Sequence, residues 1–146
     1  MRLSTKGDYG VRALIDLALY GGDGPVQRTA IARREQIPES YLDHLLAQLR
    51  RDGFVRSTRG PGGGHELARP PQEMCLLHVL ESLEGSLAPL ACLEEDTEAD
   101  DGICGQQWVW REIYDDMRAK LESVSIADLA KREQERLHGS ALHYSI

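Results

Sequence analysis

The sequence predicts a mainly α-helical fold with a small β-wing, and three patterns carry that prediction. Apolar residues recur at helical spacing through most of the chain. Two short alternating runs flank a glycine-rich tip at residues 59–64, Arg-Gly-Pro-Gly-Gly-Gly. A last helical stretch, from residue 106, carries a bulky apolar seam.

The first helix is expected over residues 6–20, capped by Thr5 and ended by Gly21 and Gly22. Val11, Leu14, Ile15, Leu17 and Ala18 form its apolar face, with Asp8, Arg12 and Asp16 in a polar stripe opposite. A turn at residues 22–25 leads to a short helix over 28–35. Ile37-Pro38 forces a break, because the residue before proline disfavours α geometry. A third helix over 39–51 buries Tyr41, Leu42, Leu45, Leu46 and Leu49. It leaves Ser40, Asp43, His44, Ala47, Gln48 and Arg50 to look outward. Two short helices joined by a tight turn, the second ending in basic residues, form the helix-turn-helix pattern. The runs 54–57 and 65–68 then alternate as strands around the glycine tip, which completes a winged helix-turn-helix over residues 1–70.

Pro70-Pro71 marks a boundary. Residues 71–105 read as a connecting helix, over 74–83, followed by a loop that holds Cys92, Cys104 and an acidic tract between them. Residues 106–146 read as a long dimerisation helix and a C-terminal helix. Trp110, Ile113, Tyr114, Met117, Leu121 and Val124 are spaced 3, 1, 3, 4 and 3, close to an a/d seam. Such a seam, far from the small front core, calls for a partner helix, and a symmetric homodimer closes it. Ser125 is expected to cap the last helix through Arg136, with the final ten residues frayed.

Composition narrows the class. Hydrophobic residues at 41% and charged residues at 28% of 146 fit a soluble globular domain. Lys6, Asp8, Arg12 and Asp16 interrupt any signal-peptide run, and no apolar stretch approaches the ~18 residues of a membrane span. Three cysteines, an odd number, argue against a disulfide framework and for a cytoplasmic location. The net charge of −7 hides an asymmetry: residues 1–69 hold eleven Lys and Arg against eight Asp and Glu, +3, whereas residues 70–146 hold six against sixteen, −10. A basic front and an acidic back suit a protein that meets a polyanion with one end.

On double-stranded DNA, the third helix would enter the major groove with Ser40, Tyr41 and Asp43 at base edges and His44 and Gln48 behind them. Asp43 is either a specificity element, accepting from a base donor, or a solvated helix charge. Arg28, Arg33, Arg50 and Arg51 suit phosphates, which position a protein without reading sequence. Arg59 on the wing, with Gly60 and Gly62 letting the backbone come close, suits the minor groove. An enzyme is disfavoured: no nucleophile–base pair or H-E-x-x-H pattern is present, and the glycine run precedes a strand, not a helix.

Several of these stretches resemble the IscR-like regulators, the Rrf-two family. They are the opening residues 1–14, Ser40-Tyr41-Leu42, Leu49 to Gly53, the wing at 59–64, Trp110-Arg111 and Ile126 to Leu129. The resemblance spans residues 1 to about 132 and implies a homodimeric winged-helix transcription regulator on palindromic or partly palindromic operators. Many members sense iron–sulfur status, nitric oxide or redox state. Cluster-bearing members carry three cysteines before the long helix, often with a histidine three residues after the last. Here Cys92 and Cys104 resemble the first and third, Glu98 or its neighbours occupy the middle position, and Gln107 stands in place of the histidine. The resemblance offers Asp8 as a further ligand of a 2Fe–2S cluster; the alternative for Asp8 is an i,i+4 pair with Arg12. Clustered carboxylates in the loop oppose a thiolate-bound cluster. A metal-free thiol switch between Cys92 and Cys104, or a protein partner, is therefore kept beside the cluster reading. Cys75 reads as a small buried residue.

Overall fold

The computed structural model describes residues 1–94 and 105–144, and the side chains of all but the last three of these. Six α-helices and one two-stranded sheet follow one another as α1 (Thr5–Tyr20), α2 (Arg28–Glu35), α3 (Glu39–Arg51), β1 (Val55–Thr58), β2 (Gly64–Leu67), α4 (Leu76–Glu84), α5 (Gln107–Glu122) and α6 (Ile126–Tyr144). Mainly helical architecture with a small β-wing is what the hydrophobic spacing predicts.

Helix α1 is the hub. Ala13, Leu14 and Leu17 on its inner face meet Ile31 of α2, Leu42, Leu45, Leu46 and Leu49 of α3, and Val79 and Leu83 of α4, in one core. Each fully buried leucine contributes about 1.5–3 kcal/mol relative to exposure. The cap of α1 is Ser4 rather than Thr5: its hydroxyl accepts from Gly7 N–H at 3.2 Å and donates to Glu84 Oε1 at 2.6 Å. That choice pins the start of α1 to the end of α4. Helix α4 lies so close that a Cβ on Gly10 would stand 2.4 Å from Leu83.

The sheet is antiparallel, with Val55 opposite Leu67 and Thr58 opposite Gly64. Gly60 and Gly62, at φ +94° and +76°, turn the tip in a conformation that side-chain-bearing residues rarely adopt. At the wing's foot, Val26 exchanges both backbone hydrogen bonds with His65 at 2.8 Å, a third short strand in effect. Gly64 belongs there because a Cβ would meet the Val26 carbonyl oxygen at 2.5 Å.

The second half returns to the first. Leu76 N–H donates to Val124 and Ile126 N–H donates to Met74, both at 2.9 Å, so the starts of α4 and α6 are stitched together. Ser125 and Asp128 cap α6 reciprocally, at 3.1 and 2.9 Å. Ile126 is fully buried in the α1 core, so the start of α6 packs onto the front half. Helix α6 also runs on to Tyr144 instead of ending at Arg136. Glu133 and Arg136 pair one turn apart, and Gly139 alone costs only about 1 kcal/mol of propensity, too little to stop it. Helix α4 starts two residues later than expected, at Leu76, with Cys75 as its cap position. Among the described residues no helix is long and apolar enough to cross a membrane.

Candidate nucleic-acid interface and sensor residues

Helices α2 and α3 meet at the turn Gln36-Ile37-Pro38, where Gln36 ends α2 in the left-handed region at φ +54°. This presents one side of α3 to solvent, from Ser40, Asp43 and His44 near its start to Arg50 in its last turn, all four exposed. A shallow depression of about 390 Å³ joins Ser40, Asp43, His44, Ala47 and Arg50 of α3 to Ser57 and His65 of the wing. The recognition helix and the wing therefore form one continuous surface.

Two side chains on that surface escape a linear reading. His65 Nδ1 lies 2.9 Å from Ser57 Oγ across the strand pair. Burial pushes the His65 imidazole below its usual range; Asp43 opposes this, while Arg28 and Arg50 reinforce it. The alternation of β2 carried the only signal for His65, and nothing in the sequence marks it as lying beside α3.

Arg28 and Asp43 take a different arrangement from the one expected. Arg28 Nη1 contacts Asp43 Oδ1 at 2.6 Å and its Nε approaches Glu39 at 3.4 Å. The hydrogen bond that Arg28 donates to the Asp43 carboxylate raises the Arg28 pKa. Asp43 is thus neutralised from within the chain, and its charge holds α2 against α3. Both groups are exposed, so the pair is a weak one that a base or phosphate can reopen.

Gln48 does not look outward. Its Nε2 donates to the Ser82 carbonyl of α4 at 2.6 Å, because α4 crosses the C-terminal half of α3. Ser82 Oγ also donates to Asp52, just past the helix end. Tyr41 is half-buried, its ring edge-on to Tyr9 of α1 at 5.8 Å, so only its outer edge reaches the surface. Among the described residues Arg33, Arg50, Arg51 and Arg59 pair with no carboxylate, and all four are exposed.

The proposed sensor residues are only partly visible. Cys92 is exposed on a single helical turn, Ala91–Leu93. Cys104, Glu98 and most of the acidic tract lie outside the described residues. Asp8, 55% exposed near the start of α1, takes the i,i+4 pair with Arg12 at 3.4 Å. Arg12 in turn reaches Glu35 at the end of α2, through its carboxylate at 3.4 Å and its backbone carbonyl. Cys75 is half-buried, with Sγ 3.5 Å from the Glu122 carbonyl. No group of three or more His, Cys, Asp and Glu side chains gathers among the described residues.

Known proteins share this architecture. A family model, Rrf2, described as an iron-dependent transcriptional regulator, matches residues 3–132. The HTH-type transcriptional regulator IscR of Photorhabdus laumondii is 34% identical, over 92% of this chain and 82% of its own length. The solved structure of T. potens IscR superposes with a TM-score of 0.76 at 36% identity, covering 93% of this chain and 90% of that one. CymR, the global cysteine regulator of B. subtilis, superposes at 0.77 with 32% identity, covering 90% and 98%. These relatives are named as regulators, not as enzymes. With its helix pair, its wing and this likeness along nearly its whole length, the chain belongs to the Rrf2 family of DNA-binding transcription regulators.

Proposed function

We propose that the chain acts as a homodimer on a palindromic operator and that its DNA affinity responds to a 2Fe–2S cluster, reporting redox or iron–sulfur status. Residues 1–70 grip DNA, residues 71–105 carry the connecting helix and sensor loop, and residues 106–146 dimerise and brace the core. The continuous surface of α3 and wing, with Arg50 on it and with Arg51 and Arg59 exposed and without a carboxylate partner among the described residues, supports the DNA role. In this reading Ser40, Asp43 and His44 face base edges, Arg28, Arg50 and Arg51 meet phosphates, and Arg59 with Gly60 and Gly62 follows the minor groove.

For the cluster, Cys92, Cys104 and Asp8 are the proposed ligands; thiolate and carboxylate are donors that iron accepts. Cys92 and Asp8 are both exposed, as ligands to an incoming cluster must be. The cluster, when bound, supplies a redox-reactive centre. Asp8 must leave Arg12 to ligate, and Arg12 is the link from Asp8 to the C-terminal end of α2. Ligation at Asp8 is thereby connected to the first helix of the DNA-binding pair.

The likeness to a cysteine regulator favours a second reading, a metal-free switch at Cys92 and Cys104. Anaerobic purification separates the two. The cluster reading expects visible absorption, stoichiometric iron and loss of both in Cys92→Ala and Cys104→Ala. A colourless, iron-free protein after attempted reconstitution removes it and leaves the thiol switch or a protein partner.

A further inference from the structure

A cleft between α1, the C-terminal end of α2 and the outer turns of α6 takes no part in the DNA surface or the sensor residues. Its volume is about 480 Å³, within the ~300–1,000 Å³ of small-molecule sites. Ile15, Leu19 and Leu137 supply an apolar wall. Leu137 is 40% exposed, so apolar surface stands open to a ligand there.

Three arginines line the cleft. Arg12 is taken up by Asp8 and Glu35, whereas Arg34 and Arg136 are each held on one edge only. Arg34 Nε and Nη2 donate to the fully buried Asp16 at 2.7 and 2.8 Å, and its Cζ lies 4.0 Å from the Tyr20 ring centroid. Arg136 Nε and Nη2 donate to Glu133 at 3.0 and 2.6 Å. Among the described residues the Nη1 group of neither arginine has a hydrogen-bond acceptor, which leaves a pair of fixed donors for a carboxylate. Glu35 and Glu133 line the same cleft. They disfavour a simple anion; Glu35 already takes Arg12 at 3.4 Å and Glu133 takes Arg136, so a cationic group would share these carboxylates with them. Burial raises the Glu35 carboxyl pKa, which an incoming ammonium group would relieve.

We propose that this cleft binds a free α-amino acid with an apolar side chain. Its carboxylate sits on the open edges of Arg34 and Arg136, its ammonium faces Glu35 and Glu133, and its side chain covers Ile15, Leu19 and Leu137. Such a ligand bridges α6 to the end of α2 and so connects cleft occupancy to the helix-turn-helix. None of the proposed cluster ligands lines the cleft, although Arg12, the partner of Asp8, does.

Calorimetry on the full-length protein tests it with three probes: L-leucine, 4-methylpentanoate, which lacks the ammonium, and 3-methylbutylamine, which lacks the carboxylate. Leucine is expected to bind at least about tenfold more tightly than either fragment. Arg136→Gln and Leu137→Trp, both lining the cleft from α6, should each weaken leucine binding about tenfold or more while the melting temperature stays near the wild-type value. Absence of heat with leucine, equal affinity for all three probes, or wild-type affinity in both variants overturns the proposal.

Discussion

Arg59 stands alone at the wing tip, exposed and without a carboxylate partner among the described residues. A cation in that position is available to a phosphate or a narrow groove without first breaking an internal pair. Arg59→Ala should therefore weaken operator binding by about 1–3 kcal/mol and flatten its salt dependence. Fluorescence anisotropy at two salt concentrations checks this, and unchanged affinity for every sequence refutes the wing contact. His65 makes a pH prediction. Burial depresses its pKa in the folded state, so below the ordinary histidine value of ~6.5 the unfolded chain binds more protons than the folded one. Stability is then full at neutral pH and declines as pH falls through and beneath that value. His65→Gln should reduce the loss between pH 7 and pH 5, as read by urea unfolding at both. An equal loss in the two proteins would mean that other groups govern the acid side.

At the scale of elements, the wing and α4 show how short contacts place large surfaces. Strand β2 reaches the rest of the molecule through the Val26–His65 bridge, and Gly64 sits where the two backbones touch. Gly64→Ala forces its Cβ against the Val26 carbonyl and should destabilise the fold by about 1–3 kcal/mol, the range for overpacking. Operator affinity should fall with it, since the wing can no longer seat beside α3. Thermal melts together with anisotropy measure both effects, and a variant with wild-type stability and affinity would show that the bridge yields at no cost. Helix α4 is held to α3 by Gln48 and Ser82 and to α1 by Ser4 and Glu84. It leads straight into the loop that carries Cys92, so it is the mechanical neighbour of both the proposed sensor and the reading helix.

For the whole molecule, the decisive feature is what α5 leaves uncovered. Only Tyr114 of that helix is buried, while Trp108 is 66% and Ile113 50% exposed. In the proposed dimer a second copy would cover this tryptophan and isoleucine, and a two-fold axis beside α5 would supply two DNA-reading units. Sedimentation should show a dimer, and the double substitution Trp108→Asp with Ile113→Asp should yield monomers. Loss of bivalent contact should then lower operator affinity about a hundredfold or more. A variant that remains dimeric places the interface elsewhere.

Helix positions, the wing and the basic front were legible in the sequence because they rest on local rules: apolar periodicity, a proline after Ile37, and glycines at a tight turn. The family was legible for the same reason, its motifs being contiguous. The pairings were not. Sequence spacing gives no warrant for Arg28 closing on Asp43, for Gln48 turning inward to Ser82, or for Val26 and His65 forming a bridge 39 positions apart. Nor does it place the far end of α6 beside Arg34 to make a cleft. Contacts between residues distant in sequence depend on how the helices cross, and crossing angles follow from the packing of all side chains at once. Local chemistry chose the elements; the packed core decided which charges were already spent and which remain for DNA or a ligand.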